Sequence, residues 1–200
     1  NVSAVQGDVN ILEGSVSTLE GGVSALEGDV SILGEDISAL EAHDRAVIDV
    51  VAMVEPSVVR ILVDLGDGWY AGGSGVIITN DGWVLTNAHV LEDANSIEIT
   101  LMNGETYDGS TEVYWHESLD IAIVKIDSSR TDFPAAVLGS SADVVVGEEV
   151  VAMGFPAWLP GQATFTTGIV SAVRTLEDHM GMVLEYIQTD ALINGGNSGG

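Results

Sequence analysis

Three polar residues lie in settings that suit nucleophilic catalysis. Ser198 lies in "GGNSGG" (195–200), where the flanking glycines predict a tight, exposed turn. A serine hydroxyl is a weak nucleophile that needs a base within hydrogen-bonding distance, and a third group must orient that base. His89 in "LTNAHVL" is the candidate base, and Asp120 in "SLDIAIVKI" is the candidate orienting carboxylate. Together they predict a Ser–His–Asp hydrolase with the chain order His, Asp, Ser.

The segments that position these residues have the pattern of short β-strands. Runs of β-branched and apolar residues are separated by Gly, Asn and Asp turns, and "NDG" between "VIIT" and "WVLT" predicts a tight hairpin with Gly82 at positive φ. Many short strands with little helix indicate an antiparallel β-sandwich or barrel. The predicted strands are "SVVRILV", "SGVIIT", "WVLT", "SIEITL", "IAIVKI", "EVVAMGF", "TTGIVSAV" and "LEYIQT".

Residues 1–43 have a different pattern, a seven-residue repeat such as "GSVSTLE" and "GGVSALE". With Val2 as position a, Val or Ile occupies every a position and Val or Leu every d position over six heptads, which predicts a coiled-coil stalk. A loosely helical tether is the alternative, because Gly recurs at the outer f position and acidic residues fill much of e and g. No Lys or Arg precedes Arg45, so salt should favour the stalk.

The predicted organisation has four parts. "AVIDVVAMVEP" indicates a short helix stopped by Pro56, and the polar stretch "DSSRTDFPAAVLGSSAD" (127–143) indicates a crossover between two β halves. The predicted parts are a coiled-coil stalk (1–43), a helical connector (44–56), a first β-barrel (57–130) and the start of a second β-barrel (131–200).

Composition excludes several functions. Asp and Glu number 31 against 5 Lys and Arg, a formal net charge of −26 that repels phosphate backbones and disfavours nucleic acid as a partner. A high-salt habitat and an ordinary acidic exported protein are equally compatible with that charge. Cysteine is absent, and no phosphate loop or metal cluster is apparent, so we expect no metal and no cofactor. No apolar run is long enough to span a bilayer.

Five blocks from about residue 47 onwards closely resemble the HtrA (Deg) family of trypsin-like serine proteases. They are "SGVIITNDGWVLTNAHVL", "LDIAIVKI", "VVAMGFP", "TTGIVSA" and "IQTDALINGGNSGG". The resemblance implies a chymotrypsin-like double β-barrel with His89 as general base, Asp120 as its orienting partner and Ser198 as nucleophile. It implies an oxyanion hole formed by the backbone N–H groups of Gly196 and Ser198.

The resemblance also implies a cellular role. Such proteases cleave unfolded or damaged polypeptides outside the cytoplasm, usually as trimers, so we expect an extracytoplasmic homo-oligomer. An anchoring segment upstream of Asn1 is compatible with this location. The heptad pattern itself favours a dimer, because Val at a with Leu at d favours a coiled coil of two helices. A non-proteolytic chaperone or adaptor on the same scaffold is the alternative function.

Two positions depart from the protease pattern or from its digestive relatives. Gly195 replaces a common proline, which predicts a looser turn before the oxyanion hole. Asn197 replaces the aspartate that pairs with a new N-terminus in digestive relatives, so we expect activity to depend on loop ordering and not on proteolytic nicking. The Trp158 loop, "FPAWLPGQ", is a weaker candidate for contact with substrate or a neighbouring subunit.

The family continues past the nucleophile through strands that close the second barrel. We therefore expect the 200 residues to be part of a longer protein and, taken alone, to have an incomplete substrate pocket and little activity. The motif G-x-S-x-G also matches the nucleophile elbow of α/β-hydrolases, but that fold has its acid and histidine after the serine.

Overall fold

A computed structural model of the chain describes residues 2–156, 161–177 and 181–200. The Trp158 loop tip and His179, which the sequence predicts to be a structural or solvated histidine, lie outside the described residues. The chain divides into two compact units, one ending at Ile48 and the other comprising Asp49–Gly200.

A single long helix, α1 (Val2–Val54), contains the whole heptad region and continues through the expected connector. The change of period near residue 45 does not interrupt it. Pro56 follows within a 3-10 turn (Glu55–Ser57), where the Ser57 hydroxyl donates to the Val54 carbonyl at 2.6 Å. This bond satisfies a carbonyl that the ended helix leaves free. The coiled coil remains a prediction.

Six antiparallel strands close into a barrel in the order β1-β2-β3-β6-β5-β4. Pairing of β1 with β4 closes it, with Ile61 opposite Ile99. Gly82 has φ 95° in the turn between β2 and β3, which confirms the "NDG" hairpin. A short helix, α2 (Ala88–Leu91), follows β3. The strands are β1 (Val58–Gly66), β2 (Trp69–Ile77), β3 (Trp83–Thr86), β4 (Ser96–Thr100), β5 (Thr106–His116) and β6 (Ile121–Ile126).

The barrel is filled by the inward side chains of these strands. Alternate residues of β1 (Val59, Ile61 and Val63) are fully buried, and so are Val84 of β3 and Val124 of β6. Full burial of such side chains contributes about 1.5–3 kcal/mol each. This core makes the barrel a rigid support for the loops at its ends.

The barrel contains one strand that sequence reasoning missed and one core residue that it placed in a polar crossover. Strand β5 includes Asp108, Gly109 and Ser110, which break the apolar alternation, and its register with β6 shifts between Gly109 and Val113. Phe133, within the polar stretch 127–143, is fully buried and packs edge-on against Tyr107 at 5.5 Å between ring centroids. The crossover therefore covers one end of the barrel.

The remaining strands form a three-stranded antiparallel sheet in the order β7-β8-β9. They are β7 (Glu149–Gly154), β8 (Thr164–Glu177) and β9 (Val183–Thr189), and a 3-10 turn (Ser141–Asp143) precedes them. The predicted all-β fold with a complete first barrel after an N-terminal helix is confirmed. The incomplete second barrel stays a prediction.

Candidate active site

The pairing of β3 with β6 brings His89 and Asp120 to the same end of the barrel. Thr86, the last residue of β3, lies opposite Ala122 near the start of β6. His89 follows β3 by three residues and Asp120 immediately precedes β6, so antiparallel pairing makes them neighbours. This strand pair brings together two residues that lie 31 positions apart along the chain.

Local packing fixes His89. Asn87 is extended (φ −82°, ψ 148°) and begins α2, whose Val90 and Leu91 are buried in the barrel core. These two anchors leave His89 on the outer side of the helix, about half exposed. The Asn87 side-chain amide donates to the Asp120 carbonyl at 2.8 Å, which ties the start of α2 to the segment before β6.

Asp120 holds His89 with both of its oxygens. Its Oδ2 lies 2.7 Å from His89 Nδ1, and its Oδ1 accepts the His89 backbone N–H at 2.9 Å. Asp120 has φ 51°, a left-handed conformation that is uncommon for a residue other than glycine. Such strain is typical of residues whose orientation the surrounding structure imposes. The orientation of this carboxylate is thus fixed by two contacts and by the backbone.

The environment keeps Asp120 ionised. Partial burial would by itself raise the pKa of Asp120, but the hydrogen bonds from the His89 backbone and imidazole outweigh it and hold this pKa below its ordinary value. An ionised carboxylate only accepts hydrogen bonds, so His89 Nδ1 carries a proton in this contact. In the neutral form of the imidazole, Nε2 is then the unprotonated nitrogen and is able to accept a proton.

Ser198 lies in a tight double turn, as its flanking glycines predict. The Asn197 N–H donates to the Asn194 carbonyl at 3.1 Å, and the Gly200 N–H donates to the Asn197 carbonyl at 2.9 Å. Gly196 has φ 101° and Gly199 has φ 86°, conformations that glycine adopts without steric cost. A side chain at Gly199 would also lie 2.2 Å from the Thr86 hydroxyl, so only glycine fits there.

This turn is attached to β2 close to α2, the helix that carries His89. The Ser74 N–H donates to the Ser198 carbonyl at 2.8 Å. A Cβ added at Gly73 would lie 2.8 Å from Val90 and 3.1 Å from the Ser198 carbonyl oxygen. Gly73 therefore lies between the residue that follows His89 and the backbone of Ser198. Among the described residues, no hydrogen bond joins the Ser198 hydroxyl to His89.

Two backbone N–H groups in the turn form no hydrogen bond within the described residues. The N–H groups of Gly196 and Ser198 donate to no acceptor in the described part of the chain, although the neighbouring Asn197 and Gly200 amides are both satisfied. Gly196 and Ser198 are only half-buried, so their unpaired amides are available to an external oxygen. They are the pair that the sequence predicts as the oxyanion hole.

Sequence reasoning missed two hydroxyls that hold the turn. Ser74 is fully buried, and its Oγ accepts the Phe155 N–H at 2.7 Å and donates to the Gly196 carbonyl at 2.7 Å. Thr86 is also buried and donates to the Ser74 carbonyl at 2.7 Å. The only sequence signal is a polar residue at the start of the otherwise apolar "SGVIIT", which is too common to single out.

Comparison with known proteins agrees with this geometry. Residues 73–200 match the model of the trypsin-like peptidase domain. The chain belongs to the trypsin-like peptidase family. The matched segment begins in β2 and includes His89, Asp120 and Ser198, so all three candidate residues lie within the peptidase domain.

Curated relatives of this peptidase domain are HtrA-type serine proteases. The chain is 41% identical over 163 residues to serine protease HTRA1A of Danio rerio, covering 77% of this chain and 33% of that protein. It is 44% identical over 133 residues to serine protease HTR4 of Rattus norvegicus (65% and 26%). It is 43% identical over 131 residues to the putative serine protease HhoA of Synechocystis sp. (64% and 32%). The resemblance to the HtrA family is confirmed, and the chain spans about a third of the length of these relatives.

Within the described residues, no helix combines the length and hydropathy that crossing a bilayer requires.

Proposed function

We propose that this peptidase domain belongs to a serine endopeptidase of the HtrA type, which cleaves unfolded or damaged polypeptides through an acyl-enzyme. The observation that carries the proposal is the two-point hydrogen bonding of Asp120 to His89 beside the turn that presents Ser198. Such an arrangement orients an imidazole as a base and has no comparable purpose in a purely structural barrel.

In the proposed reaction, the Ser198 hydroxyl attacks a peptide carbonyl carbon while His89 Nε2 accepts its proton. Asp120 stabilises the resulting imidazolium through the 2.7 Å contact with Nδ1. When the tetrahedral intermediate collapses, His89 returns the proton to the leaving amine. His89 then activates water, which releases the acyl group from Ser198. A Ser198–His89 hydrogen bond is expected to form with substrate, since catalytic contacts often tighten when substrate binds.

In the proposed reaction, the unpaired backbone N–H groups of Gly196 and Ser198 stabilise the oxyanion. Negative charge develops on the carbonyl oxygen in the transition state, and fixed N–H donors lower the energy of that charge. The Ser74 hydroxyl supports this role. It donates a hydrogen bond of 2.7 Å to the Gly196 carbonyl and so fixes the peptide group that follows Gly196.

The proposal places the protein outside the cytoplasm, in protein quality control. The location and the role in quality control are proposed from the family. The excess of acidic residues is compatible with a soluble exported protein. Unfolded polypeptides are the proposed substrates because an extended chain can reach the half-exposed His89–Asp120 pair. No metal or cofactor has a step in the reaction.

We also propose that α1 joins copies of the chain into a homo-oligomer, with a trimer favoured and a dimer possible. All twelve a and d side chains from Val2 to Leu40 are between 38% and 86% exposed on the single helix. Twelve exposed apolar residues in register form a seam that a second copy would cover. Sedimentation equilibrium at low and high salt tests this, because screening of the acidic e and g positions should strengthen association. A monomer at both salt concentrations would refute it.

The test of activity is digestion of a reduced, unfolded protein such as casein by the natural full-length protein. Wild type should produce fragments, and Ser198→Ala should produce none. A folded, stable protein is the matched control substrate and should remain intact. If wild type leaves casein intact but both forms prevent its aggregation, the chaperone alternative replaces the protease.

A further inference from the structure

A cavity of about 490 Å³ lies directly against the His89–Asp120 pair. It contains the exposed side of the imidazole and opens to solvent. It is lined by Ala88, His89, Glu92, Asp93, Trp115 and Asp120. Its volume falls within the range of pockets that bind small ligands or single side chains.

Two carboxylates in this cavity have no cation beside them. Glu92 and Asp93 follow α2 directly, and neither forms an ion pair with a basic side chain of the described residues. Both Asp120 oxygens are already engaged by His89, so Glu92 and Asp93 are the acids available to a ligand. Asp93 has φ 56°, which gives the loop a fixed left-handed bend at this position.

An aromatic face completes the cavity. Trp115, near the end of β5, is 65% exposed although tryptophan is among the most apolar side chains. Its neighbour along β5, Tyr114, packs near Trp83 at 5.8 Å between ring centroids, whereas Trp115 has no such ring partner in the described chain. An exposed indole beside two carboxylates matches the recognition of a cation, which gains from the ring face and from opposite charge.

We propose that this cavity binds a lysine or arginine side chain of the substrate, close to the cleaved bond. The inference rests on the proposed function, because His89 acts there as the base for Ser198. Consecutive residues are about 3.8 Å apart, so a side chain in a cavity that touches the imidazole belongs to a residue within about two positions of the bond. Glu92 and Asp93 supply charge, and Trp115 covers the aliphatic part of the side chain.

The overall charge of −26 favours basic substrates at any site, so the test must isolate the cavity. We suggest matched peptides with lysine, norleucine or glutamate at each of the two positions on either side of the cleaved bond. Norleucine keeps the aliphatic chain and lacks the charge. The Glu92→Gln/Asp93→Asn variant removes the local acids, and Glu112→Gln/Asp143→Asn changes net charge equally at exposed residues outside the cavity.

For the natural full-length protein, we expect kcat/KM to favour lysine over norleucine about fivefold at one of these positions. The Glu92→Gln/Asp93→Asn variant should lose most of this preference, so that its kcat/KM for the lysine peptide falls to about its own value for the norleucine peptide. Trp115→Ala should reduce the rates on both the lysine and the norleucine peptides. The control variant should keep the preference. An equal preference in the cavity variant and the control would overturn the proposal.

A binding measurement separates this inference from the proposed function. Ser198→Ala protein should bind the lysine peptide about fivefold more tightly than the norleucine peptide, and the added Glu92→Gln/Asp93→Asn change should remove the difference. If no peptide is cleaved but this difference is found, the proposed activity fails and the cavity stands. If peptides are cleaved in a Ser198-dependent manner without any such difference, the cavity assignment fails and the activity stands.

Discussion

The helix of residues 2–48 and the β unit of residues 49–200 use apolar side chains in opposite ways. From Val2 to Leu40 every a and d residue is exposed, whereas Ile61, Ile99 and Val124 of the barrel are fully buried. The helix repeats every seven residues and satisfies its backbone locally, while the barrel depends on pairs distant in sequence, such as β1 with β4. The barrel therefore positions His89 and Asp120 through its own strand pairing, whereas the a and d residues of the helix stay exposed in the single chain.

The largest expected effect is on catalysis in the β unit. Asp120→Asn should reduce kcat by about 10⁴-fold, because an amide in place of the carboxylate favours the wrong imidazole tautomer. Steady-state kinetics of the natural full-length protein on casein-derived peptides measures this effect. Asp143→Asn, at an exposed residue in the turn before β7, is the control and should retain activity. A loss of less than tenfold in Asp120→Asn would mean that Asp120 does not orient the base.

The same substitution in the two regions should differ sharply in its effect on stability. Ile61→Ala should lower the free energy of unfolding by about 2–5 kcal/mol, because it leaves a cavity in the barrel core. Ile32→Ala, at a 60% exposed c position of α1, should change it by less than about 0.5 kcal/mol. Urea unfolding followed by fluorescence for the barrel and circular dichroism for the helix gives both values. Equal effects would show that the two regions do not differ as described.

Ser74→Ala tests the junction that holds the nucleophile turn. It removes two buried hydrogen bonds, to the Phe155 N–H and the Gly196 carbonyl, and each unsatisfied group costs about 1–3 kcal/mol. We expect lower stability together with a fall in kcat, since Gly196 carries one of the oxyanion donors. The matched control is Ser141→Ala, which alters an exposed serine in the 3-10 turn. Unchanged kcat in a destabilised Ser74→Ala protein would limit Ser74 to a structural role.

Replacement of glycine by alanine should have opposite effects on stability in the helix and in the barrel. Gly14→Ala and Gly21→Ala should each stabilise α1 by about 1 kcal/mol, because a Cβ at either position meets nothing within 4 Å. Thermal unfolding monitored by helical ellipticity measures the gain. In the barrel, Gly75→Ala should destabilise, since its Cβ would lie 2.5 Å from Val84. A neutral result for Gly75→Ala would contradict the close packing described for the core.

The smallest expected effect is the pH dependence of the His89–Asp120 contact. The pKa of Asp120 is lower in the folded protein than in the unfolded chain, so the contact stabilises the fold above the ordinary carboxyl range and this contribution is lost as the pH falls through the lowered value. Because Asp120 is about half exposed, we expect less than about 1 kcal/mol. The difference in unfolding free energy between wild type and Asp120→Asn should be present near neutral pH and shrink in acid as Asp120 becomes protonated. If the difference instead grew as the pH fell, the His89–Asp120 contact would not stabilise the fold through an ionised Asp120.

The sequence predicted the parts of the molecule that carry a local or chemical signal. Strands β3 and β6 have the bounds of "WVLT" and "IAIVKI", and the glycine turn around Ser198 follows from its composition. It did not predict β5, because Asp108 and Gly109 break the alternation while distant pairing with β4 and β6 maintains the strand. The burial of Phe133 and the junction at Ser74 also depend on tertiary contacts that leave no periodic signal.

The central claim is that Ser198, His89 and Asp120 act as one unit, and covalent labelling tests it most directly. A fluorophosphonate probe reacts with an activated serine, and peptide mass mapping identifies the modified residue. In the natural full-length protein, the account predicts labelling at Ser198 that falls by orders of magnitude in His89→Ala and in Asp120→Asn. Labelling of Ser198 at the wild-type rate in His89→Ala, or no labelling of Ser198 in wild type, would contradict it.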